Sequence, residues 1–389
     1  MSKLSAIPPR ATRLAVGALL LALGCTAGAQ APSPAPEGAS ATSVVNIYAA
    51  TGAGQLSPAT QGALERAYVP NLRSNDVYVI DPATFKVVDK FPVGRSPQHI
   101  VPSWDLQTLW VTNNAEGRTD GSLTPIDPKT GKPSGRAIAV DDPYNMYFTP
   151  DGKEAIVVAE ALKRLDFRDA HTMKLNSSLA VPECKGINHA EFAADGSFAI
   201  FTCEFSGKVA KVDLVQRKVV GYLELAKKGM PQDVRSSPDG KAFFVADMMA
   251  NGVHVIDPVA FTRIGFIEAG IGTHGLYPSR DGKSLYATNR GTQMIHGRRK
   301  GKGGVTVIDF ATRKVVATWP IPGGGSPDMG NVSADGKTLW LSGRYDDVVY
   351  AIDTTSGAVR SIPVGAEPHG MTIWPQPGRY SLGHTGNMR

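Results

Sequence analysis

The chain has 389 residues, with 42 glycines, 28 prolines and a charged fraction of 20%, a composition typical of a turn-rich globular protein. Three of its 41 basic residues belong to an N-terminal leader, so 38 remain against 35 acidic residues. The resulting excess of +3 is too small to indicate nucleic-acid binding by itself.

The first 29 residues have the features of a secretory signal peptide. A basic stretch through Arg13 precedes an apolar run over 14–23, which is too short to span a bilayer. The small residues of 27–29 form a cleavage pattern, so we expect a mature chain that begins near Gln30 in the periplasm. In an alternative interpretation, the sequence Leu-Ala-Leu-Gly-Cys ending at Cys25 resembles a lipoprotein box and would anchor the protein to the outer membrane.

The leader is followed by a linker and then by the folded domain. Residues 30–43 are mostly Pro, Ala and Ser, and we expect a disordered linker there. The domain then occupies 44–389, in which no segment is long and apolar enough for a transmembrane helix.

The clearest single unit of this domain runs from Pro231 to Gly270. It contains the turn signal Ser-Pro-Asp-Gly at 237–240 and two apolar runs, 242–246 and 253–256, the second of which is closed by Asp257. Short apolar runs bounded by turn residues are typical of strands joined by tight turns. Such a unit cannot bury its apolar faces alone and needs neighbours of the same kind.

The unit recurs along the chain. The closing acid has counterparts at Asp81, Asp127, Asp166, Asp213, Asp257, Asp309 and Asp353, with spacings of 46, 39, 47, 44, 52 and 44 residues. The turn signal has counterparts at Asp105, Asp151, Asp195, Asp239, Asp281 and Asp335. This period is the one expected for a four-stranded propeller blade.

The first unit lacks the turn, and an unattached strand follows the last unit at 368–374. Joined, these two ends complete one blade. The sequence therefore predicts an all-β, seven-bladed β-propeller closed by pairing its N- and C-terminal strands, with no open sheet edge. The leftover segments 44–49 and 380–385 are expected to thicken this seam.

Two motifs carry a resemblance to a known family. The strand Trp-Val-Thr-Asn at 110–113 and the Ser-Pro-Asp-Gly turns, with Val-Ile-Asp some 18 residues later, resemble the YVTN family of seven-bladed β-propeller repeat proteins. The resemblance extends from about Ala67 to the C-terminus. The family includes YncE-like propellers, surface-layer proteins, DNA-binding propellers, lactonases and haem d1-binding propellers related to cytochrome cd1, so it implies the fold but not one function.

Histidines recur where the first strands of the blades begin. Alignment on the turns places His99, Asn145, His189, Asp233, Gly275 and Met329 at one position, and Gln98, Tyr144, Asn188, Gln232, His274 and Asp328 just before it. His369 aligns with His274 in the closing strand. In a propeller these residues meet at one mouth of the central channel. The candidate ligand-binding residues are His99, His189, His274, His369, Asp233, Asp328, Asn145 and Arg344.

The histidines allow two interpretations. They can bond neighbouring backbone around a water-filled channel, or they can bind a ligand. We expect four histidines on a ring of seven blades to be too far apart to share one ion, although His99 and His369 could form a pair. A flat macrocycle such as haem d1 would need only one axial histidine. No metal site is assigned.

Cys184 and Cys203 fall in one blade, near His189. In an oxidising compartment we favour a disulfide between them. The alternative is a copper or zinc site that includes His189, but no CxxC or HxxxH spacing supports it.

The longest insertion, 290–304, is strongly basic. It carries the partner-binding candidates Arg290, Arg298, Arg299, Lys300 and Lys302. It is either a solvated loop or an arm for an anionic partner, and its lack of aromatic residues weakens a single-strand nucleic-acid hypothesis.

No catalytic motif accompanies these features. Glu204, Asp247 and Arg344 could serve as acid, base or oxyanion-binding groups, but the sequence contains no nucleophile elbow, P-loop, dinucleotide fingerprint or haem-attachment motif. Our leading hypothesis is a monomeric, non-catalytic binding protein that takes a small ligand or a periplasmic redox or transport partner at the channel mouth. The alternatives are a haem d1-associated or lactonase-like enzyme and, second, a propeller that binds single-stranded DNA.

Overall fold

The structure, a computed structural model, describes residues 46–295, 301–384 and 387–389. The expected signal peptide (1–29) and linker (30–43), and the loop candidates Arg298, Arg299 and Lys300, lie outside these residues. Among the described residues, no helix has the length and apolar character that crossing a membrane requires.

The described chain forms seven antiparallel sheets, which are the seven predicted blades. Blade 1 contains β1 (Arg66–Asn71), β2 (Asp76–Asp81), β3 (Lys86–Pro92) and, as its inner strand, β29 (Thr372–Trp374). Blade 2 contains β4 (Pro97–Pro102), β5 (Leu109–Asn113), β6 (Asp120–Asp127), β7 (Lys132–Pro133) and β8 (Ile138–Asp141), the last two of which both pair with β6. Blade 3 contains β9 (Pro143–Phe148), β10 (Glu154–Ala159), β11 (Arg164–Asp169) and β12 (Leu175–Ala180).

The remaining blades have four strands each. Blade 4 contains β13 (Ile187–Phe192), β14 (Phe198–Cys203), β15 (Lys208–Asp213) and β16 (Lys218–Glu224). Blade 5 contains β17 (Pro231–Ser236), β18 (Phe243–Asp247), β19 (Gly252–Asp257) and β20 (Thr262–Glu268). Blade 6 contains β21 (Thr273–Pro278), β22 (Ser284–Asn289), β23 (Gly304–Asp309) and β24 (Lys314–Pro320). Blade 7 contains β25 (Pro327–Val332), β26 (Thr338–Gly343), β27 (Val348–Asp353) and β28 (Val359–Pro363).

Closure of the ring by the two chain ends is confirmed. β29 pairs with β1, with Arg66 opposite Trp374 and Tyr68 opposite Thr372. The strand is shorter than predicted because the chain before it turns toward blade 2, where the Gly370 amide donates to the Gln98 carbonyl at 2.8 Å. The segment that carries His369 therefore lies between β1 of blade 1 and β4, the inner strand of blade 2.

The turns have the geometry that their sequence requires. In blade 5 the Ser237 hydroxyl donates to Asp239 Oδ1 at 2.6 Å, and Gly240 has a φ of +69°. That conformation favours glycine, as expected for the Ser-Pro-Asp-Gly signal. Inner strands such as β17 are buried along their whole length, whereas outer strands such as β20 expose most residues.

The acids that close the third strands cap the following turns. Asp257 Oδ1, for example, accepts the amides of Val259 and Ala260 at 2.8 and 2.9 Å. The assignment of Asp166 to this set is wrong, because Asp166 lies within β11 and Asp169 accepts the turn amides instead. The error arose in the blade whose loop departs most from the repeat.

The terminal segments do not thicken the seam, contrary to our expectation. Tyr48 Oη donates to the Ser236 carbonyl of blade 5 at 2.9 Å, and Gly383 pairs with Tyr147 of blade 3. Blade 1 is already complete with four strands. The C-terminal segment instead finds its hydrogen-bond partners on the inner strands.

Cys184 and Cys203 form a disulfide with a Cα–Cα separation of 4.8 Å. Both cysteines are fully buried, and they join the segment before β13 to the end of β14. In this state their sulfurs are bonded to each other and do not act as thiolate ligands.

Candidate functional site

The inner strands begin with β-bulges at the two positions where the sequence aligns its polar residues. In blades 4 to 7 two consecutive inner-strand residues lie opposite a single residue of the second strand. The bulged pairs are Asn188 with His189, Gln232 with Asp233, His274 with Gly275, and Asp328 with Met329. A bulge redirects side chains that a regular strand would point to opposite faces.

The second strand, which carries the YVTN-like sequence, has a hydroxyl side chain opposite the bulge in several blades. The hydrogen bonds of this hydroxyl account for its presence. In blade 6 this residue is Thr288, whose Oγ1 accepts the Gly275 amide at 2.7 Å and donates to the Asp328 carbonyl of blade 7 at 2.9 Å. Thr202 likewise accepts the His189 amide at 3.0 Å. These hydroxyls satisfy amides that the bulge removes from the sheet, and in blade 6 one of them also joins neighbouring blades.

Asp328 is the electrostatic centre of the channel mouth. Its Oδ1 lies 2.8 Å from His274 Nδ1 and 2.8 Å from Arg290 Nε. Its Oδ2 lies 2.8 Å from His369 Nδ1 and 3.8 Å from Arg344 Nη1. One fully buried carboxylate thus holds two imidazoles and two guanidinium groups.

These contacts fix the charge states. Burial alone would raise the pKa of Asp328, but Arg290, His274 and His369 outweigh it and hold that pKa well below its usual value. Burial, and then Arg290, lowers the pKa of His274 to about 4. Burial, and then Arg344, lowers the pKa of His369 as well. Both imidazoles are therefore neutral at pH 7.

The same contacts select one tautomer. Because Asp328 accepts hydrogen bonds only, Nδ1 of both His274 and His369 carries the proton. Nε2 of His274 then accepts from Arg290 Nη2 at 2.8 Å, and Nε2 of His369 faces Tyr144 Oη at 3.4 Å.

The four predicted histidines meet in the channel. Ring centroids are 4.9 Å apart for His99 and His369, 5.3 Å for His99 and His189, 6.3 Å for His189 and His274, and 6.0 Å for His274 and His369. Of these four, only His99 and His189 belong to a group of described ring nitrogens within 4.8 Å of one another. The expectation that all four cannot share one ion therefore stays a prediction.

A fifth histidine, His384, was missed. Its ring lies 4.5 Å from that of His189 and 5.1 Å from that of His99. It belongs to the C-terminal segment, whose pairing the sequence does not reveal because the segment is not part of the repeat. The only sequence signal was the presence of a histidine in an unassigned segment.

The C-terminal segment reaches the channel along the inner strands of blades 2 to 4. The Ser381 hydroxyl donates to the Pro102 carbonyl at 3.1 Å, and the His384 amide donates to the Met146 carbonyl at 3.1 Å. Gly383 has a φ of +95°, and a Cβ there would lie 2.5 Å from the Met146 oxygen. Only glycine allows so close an approach of the two backbones.

Asn145 and Asp233 support this arrangement from within the channel. Asn145 Nδ2 lies 2.8 Å from His384 Nδ1, and Asp233 Oδ1 lies 3.6 Å from His384 Nε2. Asp233 also pairs with Arg235 at 2.9 Å and accepts the Leu276 amide of the next blade at 2.9 Å. Both residues contact other channel residues, and neither lines the cavity described next.

A cavity of about 390 Å³ lies at the channel mouth. Its lining includes His274, Tyr144, Arg290, Arg344, Glu160 and Glu204. The two arginines come from blades 6 and 7, and the two glutamates from blades 3 and 4, which lie across a seven-membered ring from them. Lys163 and Lys185 also line the cavity, but they are half-buried and exposed, respectively.

The two glutamates form a second electrostatic group, in which Glu204 is buried and Glu160 is half-buried. Glu204 accepts from Gln232 Nε2 and Asn188 Nδ2, each at 3.0 Å. Burial, and then the Glu204 charge, raises the pKa of Glu160 well above its usual value. The turn that presents Glu160 is held by Asp142 Oδ2, which accepts the Ala161 amide at 2.7 Å and the Leu162 amide at 3.1 Å.

Arg290 does not belong to a partner-binding arm. Only 3% of it is exposed, and its guanidinium group is bound to Asp328. Of the other basic candidates in the loop, the structure describes Lys302, which is exposed. The first residue of the insertion is thus part of the cavity wall.

Several polar residues after the second strands are structural. Asn113 and Asn289 bond within their own blades, for example to Thr124 and Thr306 at 3.0 Å. Asp247 accepts the Met230, Met249 and Ala250 amides, so it organises a loop and is not available as a catalytic acid or base.

The described residues do not fit an axial ligand for haem d1. His274 is the histidine that lines the cavity, and both of its ring nitrogens are engaged by Asp328 and Arg290. His99, His189 and His369 are at most 1% exposed and lie beneath the cavity.

The buried carboxyl of Asp142 predicts a pH-dependent gain in stability on substitution. Burial raises the pKa of Asp142 to about 6. Its ionised form is therefore disfavoured in the folded state, and this destabilisation sets in as the pH rises from about 4 to 6. We expect Asp142→Asn, which keeps an oxygen acceptor, to raise the free energy of unfolding by about 3 kcal/mol at pH 8 and to leave it unchanged below about pH 4.

Urea unfolding at several pH values measures this effect, and Asp141→Asn is the matched control. Asp141 is exposed and pairs with Arg164 at the surface, so its replacement should cause only a small change. A gain for Asp142→Asn that is the same at pH 4 and pH 8 would refute the assignment.

Comparison with known proteins places the chain in a family. A family model described as a YNCE-like β-propeller matches residues 34–377. A protein named uncharacterized protein YncE, from Salmonella typhi, is 26% identical over 289 residues, which cover 68% of this chain and 74% of that protein.

Two solved structures share the fold at low sequence identity. A putative 6-phosphogluconolactonase from Bacteroides uniformis has a TM-score of 0.63 and 17% identity, and the match covers 80% of this chain and 99% of that one. The dihydro-heme d1 dehydrogenase NirN has a TM-score of 0.58 and 16% identity, with 79% and 75% coverage. With seven closed blades and a family match over most of its length, the chain belongs to the YncE-like β-propeller family.

Proposed function

We propose that this propeller is an exported binding protein that holds a small zwitterionic ligand, of the size of an amino acid or short peptide, at its channel mouth. The observation that supports this most is the cavity itself, which has two buried guanidinium groups on one side and, on the other, the carboxyl groups of buried Glu204 and half-buried Glu160. An anionic end of the ligand would bind Arg290 and Arg344. An amino or other donor group would bind Glu204 and Glu160.

Arg344 supports this assignment most directly. Its guanidinium group lies 3.3 Å from Glu367 Oε1 and 3.8 Å from Asp328 Oδ2, but its buried Nε has no hydrogen-bond partner among the described residues. A buried donor without a partner costs about 1–3 kcal/mol. A ligand carboxylate could recover that cost and accept a bidentate bond.

A binding role fits the lining better than nucleophilic catalysis does. None of the described residues that line the cavity is Ser, Thr or Cys, and the lining histidine has both nitrogens engaged. The raised pKa of Glu160 supports a second candidate, lactonase-like hydrolysis with Glu160 as a general acid. Binding of single-stranded DNA ranks lower, because Arg290 is buried in the cavity wall.

Export is supported by the leader and by the disulfide. The leader has the three parts of a signal peptide, and disulfides persist mainly in oxidising compartments. We propose a periplasmic location for the mature chain, with outer-membrane anchoring through Cys25 as the alternative.

Substitution of one residue on each side of the cavity tests the binding proposal. We expect thermal-shift screening of amino acids, dipeptides, dicarboxylates and lactones to yield a zwitterionic binder. Calorimetry should then show a loss of roughly 10- to 100-fold in affinity for Arg344→Gln and for Glu204→Gln, because each removes a buried charged hydrogen bond.

The matched control is Arg136→Gln, since Arg136 is exposed and does not line the cavity. Unchanged affinity in both cavity variants would refute the proposal. Hydrolysis of a screened lactone that is lost in Glu160→Gln would favour the enzymatic candidate instead.

The export proposal is tested by the mass of the protein purified from a bacterial host. We expect the mature chain to begin near Gln30, and Cys25→Ala to leave its location in the soluble periplasmic fraction. A lipid-modified N-terminus at Cys25, with membrane association that Cys25→Ala abolishes, would establish the alternative.

A further inference from the structure

Beneath the ligand cavity lies a cluster of imidazoles, and we propose that three of them, His99, His189 and His384, form a binding site for one zinc or copper ion. All three side chains are completely buried. One ring nitrogen from each lies within 4.8 Å of the others. This site is separate from the zwitterion cavity, and its existence does not depend on the proposed ligand.

The strongest evidence is the unsatisfied hydrogen-bonding capacity of two of the rings. Both nitrogens of His99 and both nitrogens of His189 lack a hydrogen-bond partner among the described residues. A neutral imidazole has one N–H donor and one lone pair, and leaving such groups unpaired in a protein interior costs about 1–3 kcal/mol each. Native proteins rarely leave two adjacent buried histidines in that condition unless something else binds them.

Water does not fit beside these nitrogens in the present arrangement, because none of the four has appreciable surface for a water-sized probe. A metal ion bound at about 2.0–2.1 Å takes less room than a hydrogen-bonded water does. The ion would use one lone pair from each ring. His384 Nδ1 lies 2.8 Å from Asn145 Nδ2 and its Nε2 lies 3.6 Å from Asp233 Oδ1, so metal binding by this ring would replace one of these two contacts.

The geometry requires only a local contraction. Three nitrogens at tetrahedral angles around a zinc ion are about 3.4 Å apart, so separations of up to 4.8 Å must shorten by up to about 1.4 Å. Small rotations of three imidazoles can supply this movement. Gly383 lets the C-terminal segment approach closely enough to bring in the third ring.

The ligand set selects the class of metal. Three imidazoles without a carboxylate or thiolate suit zinc and copper, whereas calcium and magnesium prefer oxygen ligands. The positive charge would be offset by buried anions nearby, since Asp233 lies 3.6 Å from His384 Nε2. A second buried anion, Asp328, is separated from the site by His369. Asp328 bonds to His369, whose ring is 4.9 Å from that of His99.

The ion would enter from the cavity side, past Tyr144. Tyr144 lines the cavity, and its ring is 5.3 Å from that of His99 and 5.9 Å from that of His189. Movement of this one side chain would connect the metal site to the channel mouth.

Metal reconstitution of the full mature chain tests the proposal. The protein would be produced without a polyhistidine tag, stripped with a chelator, and dialysed against Zn²⁺, Cu²⁺ or Co²⁺ alone. We expect about one ion per chain by elemental analysis and a visible absorption spectrum for Co²⁺ typical of nitrogen ligation. His99→Asn, His189→Asn and His384→Asn should each lower the affinity by at least about a hundredfold.

His171→Asn is the matched control, because His171 is exposed on a loop of blade 3. Arg344→Gln should keep the metal and lose only the cavity ligand, which separates this proposal from the proposed function.

Thermal unfolding establishes which variants remain folded. If the three histidine variants do not fold, X-ray absorption of the metal-loaded wild-type protein must show at least three imidazoles. Fewer imidazoles, metal retention in folded variants, or failure of the wild-type chain to bind any of the three ions would overturn the proposal.

Discussion

The channel mouth depends on one buried carboxylate, Asp328. An isolated charge in the interior is costly, and it is tolerated only when it is paired and hydrogen-bonded. Asp328 satisfies this condition with two imidazoles and two guanidinium groups drawn from blades 1, 6 and 7. Its contacts give both histidines one tautomer, and they hold the arginines at the cavity wall. The basic side of the cavity therefore depends on this single residue.

Asp328 can make these contacts because the inner strand is bulged where it begins. A regular strand would turn Asp328 and Met329 to opposite faces. The bulge places both toward the channel, and the hydroxyl of Ser342 accepts the Met329 amide at 3.2 Å. Equivalent hydroxyls serve blades 4 and 6. The Thr or Ser of the second strand in blades 4, 6 and 7 thus supports the channel geometry as well as the sheet, whereas blade 5 has Ala246 at this position.

The sequence predicted the fold well because every blade repeats the same local signals. The turns, the capping acids and the unattached strand at 368–374 determine seven blades and their closure. The sequence-based prediction was wrong at Asp166, because the loop of blade 3 departs from the repeat and obscures which acid closes the third strand. The sequence also predicted which residues face the channel. It did not predict how close the rings of His99 and His189 are to each other, because this distance depends on β-bulges that have no simple sequence pattern. His384 was unpredictable because its segment is not a repeat and pairs with strands more than two hundred residues earlier.

The channel combines two layers of different chemistry: a charged cavity at the mouth and, beneath it, a cluster of neutral imidazoles. Asp328 connects them, because it binds the cavity arginines and also His369, which packs on His99. The most direct test of this account is a long-range ¹H–¹⁵N correlation spectrum of the histidine-labelled protein at pH 7. We expect His274 and His369 to be neutral, with the proton on Nδ1. A charged ring, or a proton on Nε2, at either residue would contradict it.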